Sequence, residues 1–142
     1  MGGRRGQGWG TLVRMLTLRL DGARMRDIPT FYDEINRVFM AGEDWTLGPS
    51  LDALDDMLRG GYGALHGAGE AKVIWQDHAI AAEALGLETT RAQLLAKLAD
   101  PRFDRDAAQR KLERLEADGG PTYFDTVLEI FGEHPQIDLV LA

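Results

Sequence analysis

The sequence predicts an α/β domain: a three-stranded parallel sheet with helices packed against it. Two observations carry that prediction. Three short apolar runs, Thr11 to Leu20, Ala71 to Trp75 and Ile137 to Leu141, have the length and content of strands. Stretches with helical spacing separate them, and strands joined through helices pair in parallel through right-handed crossovers. At 142 residues the chain is long enough to bury one core, so residues 11–142 are expected to form a single domain.

Residues 1–10 are half glycine and pack poorly, so they read as a disordered leader. In the first strand Leu12, Leu16, Leu18 and Leu20 share one face, and an Asp21-Gly22 turn ends it. Asp27 is placed to cap a helix running from Pro29 to Met40, and proline is tolerated in a first turn. Phe31, Ile35, Val38 and Phe39 make its core-facing stripe, with Tyr32 and Asn36 at the edge. Residues 41–47 form a loop in which Trp45 stands among polar neighbours. Tryptophan there suits a contact surface or a lid over the core.

Gly48-Pro49 then breaks the chain, Ser50 can cap a short helix and Gly60-Gly61 stops it. At about 100° per residue, Leu51, Ala53, Leu54, Met57 and Leu58 fall on one side. Asp52, Asp55 and Asp56 fall on the other. This helix has a side to dock and a side carrying three carboxylates. A glycine-rich loop, residues 60–67, leads to the apolar run at Ala71 to Trp75, expected to be a buried central strand.

Three more helical stretches follow, Ala79 to Leu85, Thr90 to Ala99 and Asp104 to Asp118, with Pro101 breaking between the last two. The last is heavily charged and offers only Leu112 and Leu115 for docking, so it is expected to project or to pack on a partner. The final helix, Tyr123 to Glu133, is apolar over most of its girth and therefore buried. Pro135 ends it before the last strand.

Net charge is −7, which disfavours direct nucleic-acid binding and fits a basic protein partner. With no cysteine there is no disulfide framework. No run of about 18 apolar residues and no secretory h-region is present, so no membrane contact is expected and the cytoplasm is the default compartment. Carboxylates Asp52 and Asp56 could be imagined with His66, His78 and His134 as an acid/base or metal site. No two histidines stand at ligand spacing, however, and neither a nucleophile elbow nor a dinucleotide-binding glycine motif occurs. No enzyme activity, cofactor or metal is expected.

The run Gly48-Pro49-Ser50-Leu51-Asp52-Ala53-Leu54-Asp55-Asp56-Met57-Leu58-Arg59-Gly60, preceded by Trp45, resembles the barstar family of intracellular ribonuclease inhibitors. Leu51-Asp52-Ala53-Leu54, Asp56, Leu58 and Gly60 match that family's inhibitory helix. Leu18, Leu20, Asp21 and Gly22 stand where the family has its first strand, and Glu133 matches an acidic contact late in its last helix. The resemblance covers roughly residues 13–78 and 121–142, which makes residues 79–120 a helical insertion before the last helix. It implies a barstar-like fold and inhibition of a basic, barnase-like ribonuclease, in which Asp56 plugs the active site. Asp52 would flank the plug and Glu133 complete an acidic rim.

Tyr62 lies close to an aromatic position of the family, whereas Trp45 replaces its tyrosine pair. Asp55 stands where the family has tryptophan, and Ser50 where it has asparagine. The partner-binding residues expected are therefore Asp52, Asp55, Asp56, Trp45, Tyr62 and Glu133. The alternative expectation is an interaction module of the same fold that binds through residues 79–120 without inhibiting a nuclease.

Overall fold

The structure is a computed structural model that describes residues 15–142. The expected leader and the start of the first strand, residues 1–14, lie outside the described residues. Strands β1 (Met15–Asp21), β2 (Glu70–Gln76) and β3 (Ile137–Leu141) form one sheet in the order β1-β2-β3, with both pairs parallel. Register places Leu18, Val73 and Leu139 side by side, with Leu20, Trp75 and Leu141 as the next row. Leu16, Leu18, Leu20, Ala71, Val73, Trp75, Ile137 and Leu139 belong to the core, whereas the alternate residues Thr17, Arg19, Glu70 and Asp138 are exposed. The helices therefore cover one face of the sheet.

Six α-helices stand among the described residues: α1 (Ile28–Phe39), α2 (Leu51–Leu58), α3 (His78–Ala84), α4 (Leu87–Ala99), α5 (Arg105–Asp118) and α6 (Tyr123–Gly132). Their starts are local chemistry. Asp27, Ser50, Asp104 and Thr122 each accept a backbone N–H of the first turn, at 3.0, 3.3, 3.1 and 3.1 Å. Trp75 occupies the centre of the core, fully buried, with ring centroids of Phe124, Phe31 and Phe131 at 5.2, 6.0 and 6.3 Å. Aromatic burial of this kind is the largest packing contribution per residue.

Two expectations need adjusting. Tyr32 is not an edge residue: it is buried, and its hydroxyl bonds the Tyr123 hydroxyl at 2.8 Å, tying α1 to α6. Burial, followed by that bond, pushes the Tyr32 phenol well above its ordinary range. The charged helix α5 does not stand away from the protein. It packs along α4, with Leu115 and Ala108 buried, and Arg91 of α4 reaches Glu116 of α5 at 2.7 Å. The α4–α5 pair is in turn fastened to α6, because the Thr90 hydroxyl accepts the Tyr123 N–H at 2.8 Å, and the end of α3 is fastened there too, where the Leu85 carbonyl accepts the Phe124 N–H at 3.1 Å.

Candidate interaction surface on the acidic helix

Helix α2 docks through Leu54, Met57 and Leu58, which are fully buried. That seating fixes which residues look outward. Asp52 and Asp56 lie one turn apart and are exposed. Residues so spaced have Cβ atoms about 5–6 Å apart. The Asp56 side chain keeps 59% of its surface exposed. Asp55 sits on the flank instead. It is partly buried, accepts a hydrogen bond from His134 Nε2 at 2.7 Å and pairs with Arg59 at 3.0 Å. The helix thus presents two exposed carboxylates, Asp52 and Asp56, and its third is partly buried against His134.

Arg59 belongs to the same outward face. Its guanidinium bridges Asp55 and Asp56, the latter at 3.6 Å. Both pairs are exposed, so each is worth at most about 1 kcal/mol and can be exchanged for a stronger partner. Past Arg59 the chain leaves the helix through Gly60, whose φ of +89° is the left-handed conformation that glycine adopts at no steric cost.

Trp45 and Tyr62 come from the two loops flanking α2 and meet beside it, ring centroids 4.8 Å apart. Trp45 is 45% exposed. The Tyr62 hydroxyl donates to Asp56 Oδ2 at 3.1 Å, so the aromatic pair and the outermost carboxylate form one continuous surface. Burial, and secondarily the Asp56 carboxylate, hold the Tyr62 phenol above its usual range.

Both loops are held from beneath. The Asn36 amide donates to the Leu47 carbonyl at 3.2 Å and accepts the Leu47 N–H at 2.7 Å. Glu43 accepts the Gly63 N–H at 2.8 Å. A Cβ at position 63 would lie 2.7 Å from the Phe39 carbonyl oxygen, so only glycine fits. The glycine-rich loop is therefore anchored, and Leu65 is buried within it.

Helix α6 supplies the other border. Glu133 caps its C-terminus and is exposed, directly before the buried His134 that holds Asp55. Gln136 donates to the Leu58 carbonyl at 3.0 Å and so closes the C-terminal end of α2. The expected site residues divide accordingly. Asp56, Tyr62 and Trp45 form one contiguous group, Asp52 shares their face, Glu133 stands on the α6 end that reaches α2, and Asp55 serves as an internal link. Sequence reasoning named His134 only as an imagined acid/base or metal residue, and gave Arg59, Asn36, Glu43 and Gln136 no part in the site. All but Arg59 act across distances in the chain that no local pattern encodes; Arg59, at i+3 and i+4 from two aspartates, was findable from helical spacing.

Exposed carboxylates one turn apart can accept charge-assisted hydrogen bonds from arginine or lysine on another protein. Among the described residues, no group of three or more histidine, aspartate or glutamate side chains is arranged to hold a metal ion. Of the three histidines, His66 is exposed on its loop, His78 bonds the Ala142 carbonyl at 2.9 Å, and His134 bonds Asp55.

Among the described residues the chain is a β-α-α-β-α-α-α-α-β domain of the α/β class, with a short acidic helix framed by an aromatic pair. The chain belongs to the barstar (barnase inhibitor) family, whose model it matches over residues 15–117. The match includes β1, α1, α2, β2, α3 and α4 and nearly all of α5, and stops before α6 and β3. It therefore takes in Asp52, Asp56, Trp45 and Tyr62 and leaves Glu133 outside. It also runs through most of the segment that the resemblance set apart as an insertion. No curated protein matches the chain. Among the described residues, no helix is long and apolar enough to cross a membrane.

Proposed function

We propose that this protein inhibits a basic ribonuclease of the barnase type inside the cell by occupying its phosphate-binding cleft with helix α2. Such a cleft gathers arginine, lysine and histidine to hold RNA phosphates. A carboxylate entering it takes the phosphate's place and accepts the same hydrogen bonds. In this reading Asp56 is the central plug and Asp52 its neighbour, Trp45 and Tyr62 supply the apolar contact beside them, and Glu133 extends the acidic rim. Asp55 holds the helix to α6 and contributes charge without direct contact. Residues 15–142 act as one domain.

The observation that carries this reading is the open Asp56 carboxylate, oriented by the Tyr62 hydroxyl and flanked by the exposed Trp45 ring. Net charge of −7 adds long-range attraction toward a basic enzyme, which speeds encounter. The test is residual RNA cleavage by a panel of basic microbial ribonucleases, measured against protein concentration and salt. Salt-sensitive inhibition that disappears in Asp56→Ala supports the reading. A second reading, binding through α4 and α5 without inhibition, is favoured by the exposed Leu95 on α4 and Phe103 in the turn between the two helices. It predicts binding that survives Asp56→Ala and is lost when 90–118 is deleted.

A further inference from the structure

Helix α4 carries apolar residues on two sides. Leu94 is buried on its inner side, with Thr90. Ala92, Leu95, Ala96 and Ala99, at the i, i+3, i+4, i+7 spacing of one helix face, are all exposed, Leu95 by 49%. The outward positions of its neighbour α5, among them Asp106, Arg110 and Glu113, are charged, as a solvated face is. Four residues past Ala99, in the turn between the two helices, the Phe103 ring is 46% exposed. Lys97 Nζ, 5.2 Å from its centroid, holds that ring in place.

This apolar face runs into the surface that α2 presents. A cleft of about 560 Å³ is lined by Pro49, Ser50 and Asp52 at the start of α2 and by Ala96, Asp100 and Phe103 at the end of α4 and the turn after it. Its lining holds two acids, Asp52 and Asp100, and two bases, Lys97 and Lys111, so the cleft by itself selects no charge. Exposed aromatic rings therefore stand beside both ends of α2: Trp45 with Tyr62 next to Asp56, and Phe103 in the cleft that Asp52 borders. Helix α2 has eight residues and is about 12 Å long. A stable protein complex buries about 800 Å² on each partner, more than the outward face of so short a helix offers.

We infer, on the inhibitor reading above, that the surface receiving the basic ribonuclease continues from α2 across this cleft onto the outward face of α4, with Phe103 and Leu95 as its apolar anchors. The occupant of that face is an apolar segment of the same enzyme. A second copy of this chain is disfavoured, because two molecules of net charge −7 repel, whereas a basic enzyme is drawn to the carboxylates alongside. Asp52 and Asp56 supply the charge that any basic cleft accepts. Phe103 and Leu95 select, among basic ribonucleases, one with an apolar segment beside its cleft.

The test measures inhibition of the ribonuclease that the parent protein blocks most strongly, across a salt series, with circular dichroism to confirm folding. Phe103→Ala should weaken inhibition about ten-fold and Leu95→Gln about five-fold. The slope of affinity against salt should stay that of the parent, because the lost contact carries no charge. Met15→Gln, an equally exposed apolar residue at the start of the sheet, should leave inhibition unchanged. Equal inhibition by Phe103→Ala, Leu95→Gln and the parent would overturn the extension and leave the α2 reading standing. No inhibition by the parent of any basic ribonuclease would overturn both. Analytical ultracentrifugation supplies the last arm: a dimer of the parent that Leu95→Gln abolishes, with inhibition unaltered, would assign the α4 face to a second copy and overturn the inference.

Discussion

His134 Nε2 donates to Asp55 Oδ1 at 2.7 Å, and this bond fastens the C-terminal end of α6 to the flank of α2. His134 is 8% exposed and Asp55 is partly buried, so neither group can regain water without moving. The bond sets the orientation of α2 against the core and leaves Asp52 and Asp56 outward.

Removing one partner of that bond leaves the other unsatisfied. Asp55→Ala should destabilise the protein by about 1–3 kcal/mol, because the buried imidazole loses its acceptor. Asp55→Asn should cost less, since an amide oxygen can still accept from His134 Nε2. Denaturant melts of the two variants check this. Equal stability of Asp55→Ala and the parent would mean that the link holds nothing.

The aromatic pair should matter to binding and not to folding. Trp45 is half exposed and its ring meets that of Tyr62. Trp45→Ala should leave the unfolding midpoint within error and weaken partner binding by about 2 kcal/mol or more, as central interface aromatics do. A large stability loss with unaltered affinity would make Trp45 a lid over the core instead.

Asn36 should act on the same surface from beneath. Its two bonds to the Leu47 backbone hold the loop that carries Trp45. Asn36→Ala should cost about 1–3 kcal/mol in stability, because the buried Leu47 backbone loses both partners. Hydrogen exchange at the Leu47 amide should quicken in parallel. Unchanged protection there would show that the loop is held by other contacts.

All three tyrosines hold their protons more tightly in the folded protein than in the unfolded chain. For Tyr32 and Tyr123 the first cause is burial, and for Tyr62 it is also burial, with the Asp56 carboxylate second. A folded-state pKa above the unfolded one gives stability that is complete below the unfolded phenol value of about 10 and is lost as pH rises beyond it. Phenolate absorbance and circular dichroism followed together should show Tyr62 titrating first, and Tyr32 and Tyr123 ionising only as the protein unfolds. Three phenols titrating together near the free value, with the fold intact, would contradict this.

The sheet and its helices were legible because their signals are local. Leu16, Leu18 and Leu20 alternate, Val73 and Trp75 sit in an apolar run, and Asp27, Ser50 and Thr122 announce helix starts that the structure places within a residue or two. That Ala71 to Trp75 lies on a central strand of the sheet followed from the same reasoning. The outward face of α2 was legible only in part. Helical spacing grouped Asp55 with Asp52 and Asp56, yet its partner His134 lies 79 residues away and no periodicity reports it.

Tyr32 was misplaced for a similar reason, since the hydroxyl that satisfies it comes from Tyr123, 91 residues on. Thin apolar content suggested that α5 would project. Burial of Leu115 and Ala108 against α4 and the Arg91–Glu116 pair are contacts between helices that spacing within one helix cannot foresee.

The central claim is that the open carboxylates of α2 enter a cationic nuclease cleft, and inhibition of a basic barnase-type ribonuclease by Asp56→Asn, Asp52→Asn and the parent protein tests it directly. The substitution removes charge while keeping shape, and circular dichroism would confirm that the fold is kept. The account predicts that Asp56→Asn weakens inhibition by roughly 2–5 kcal/mol, with a smaller loss for Asp52→Asn and a shallower salt dependence for both. Inhibition of equal strength by all three proteins at every salt concentration would contradict it.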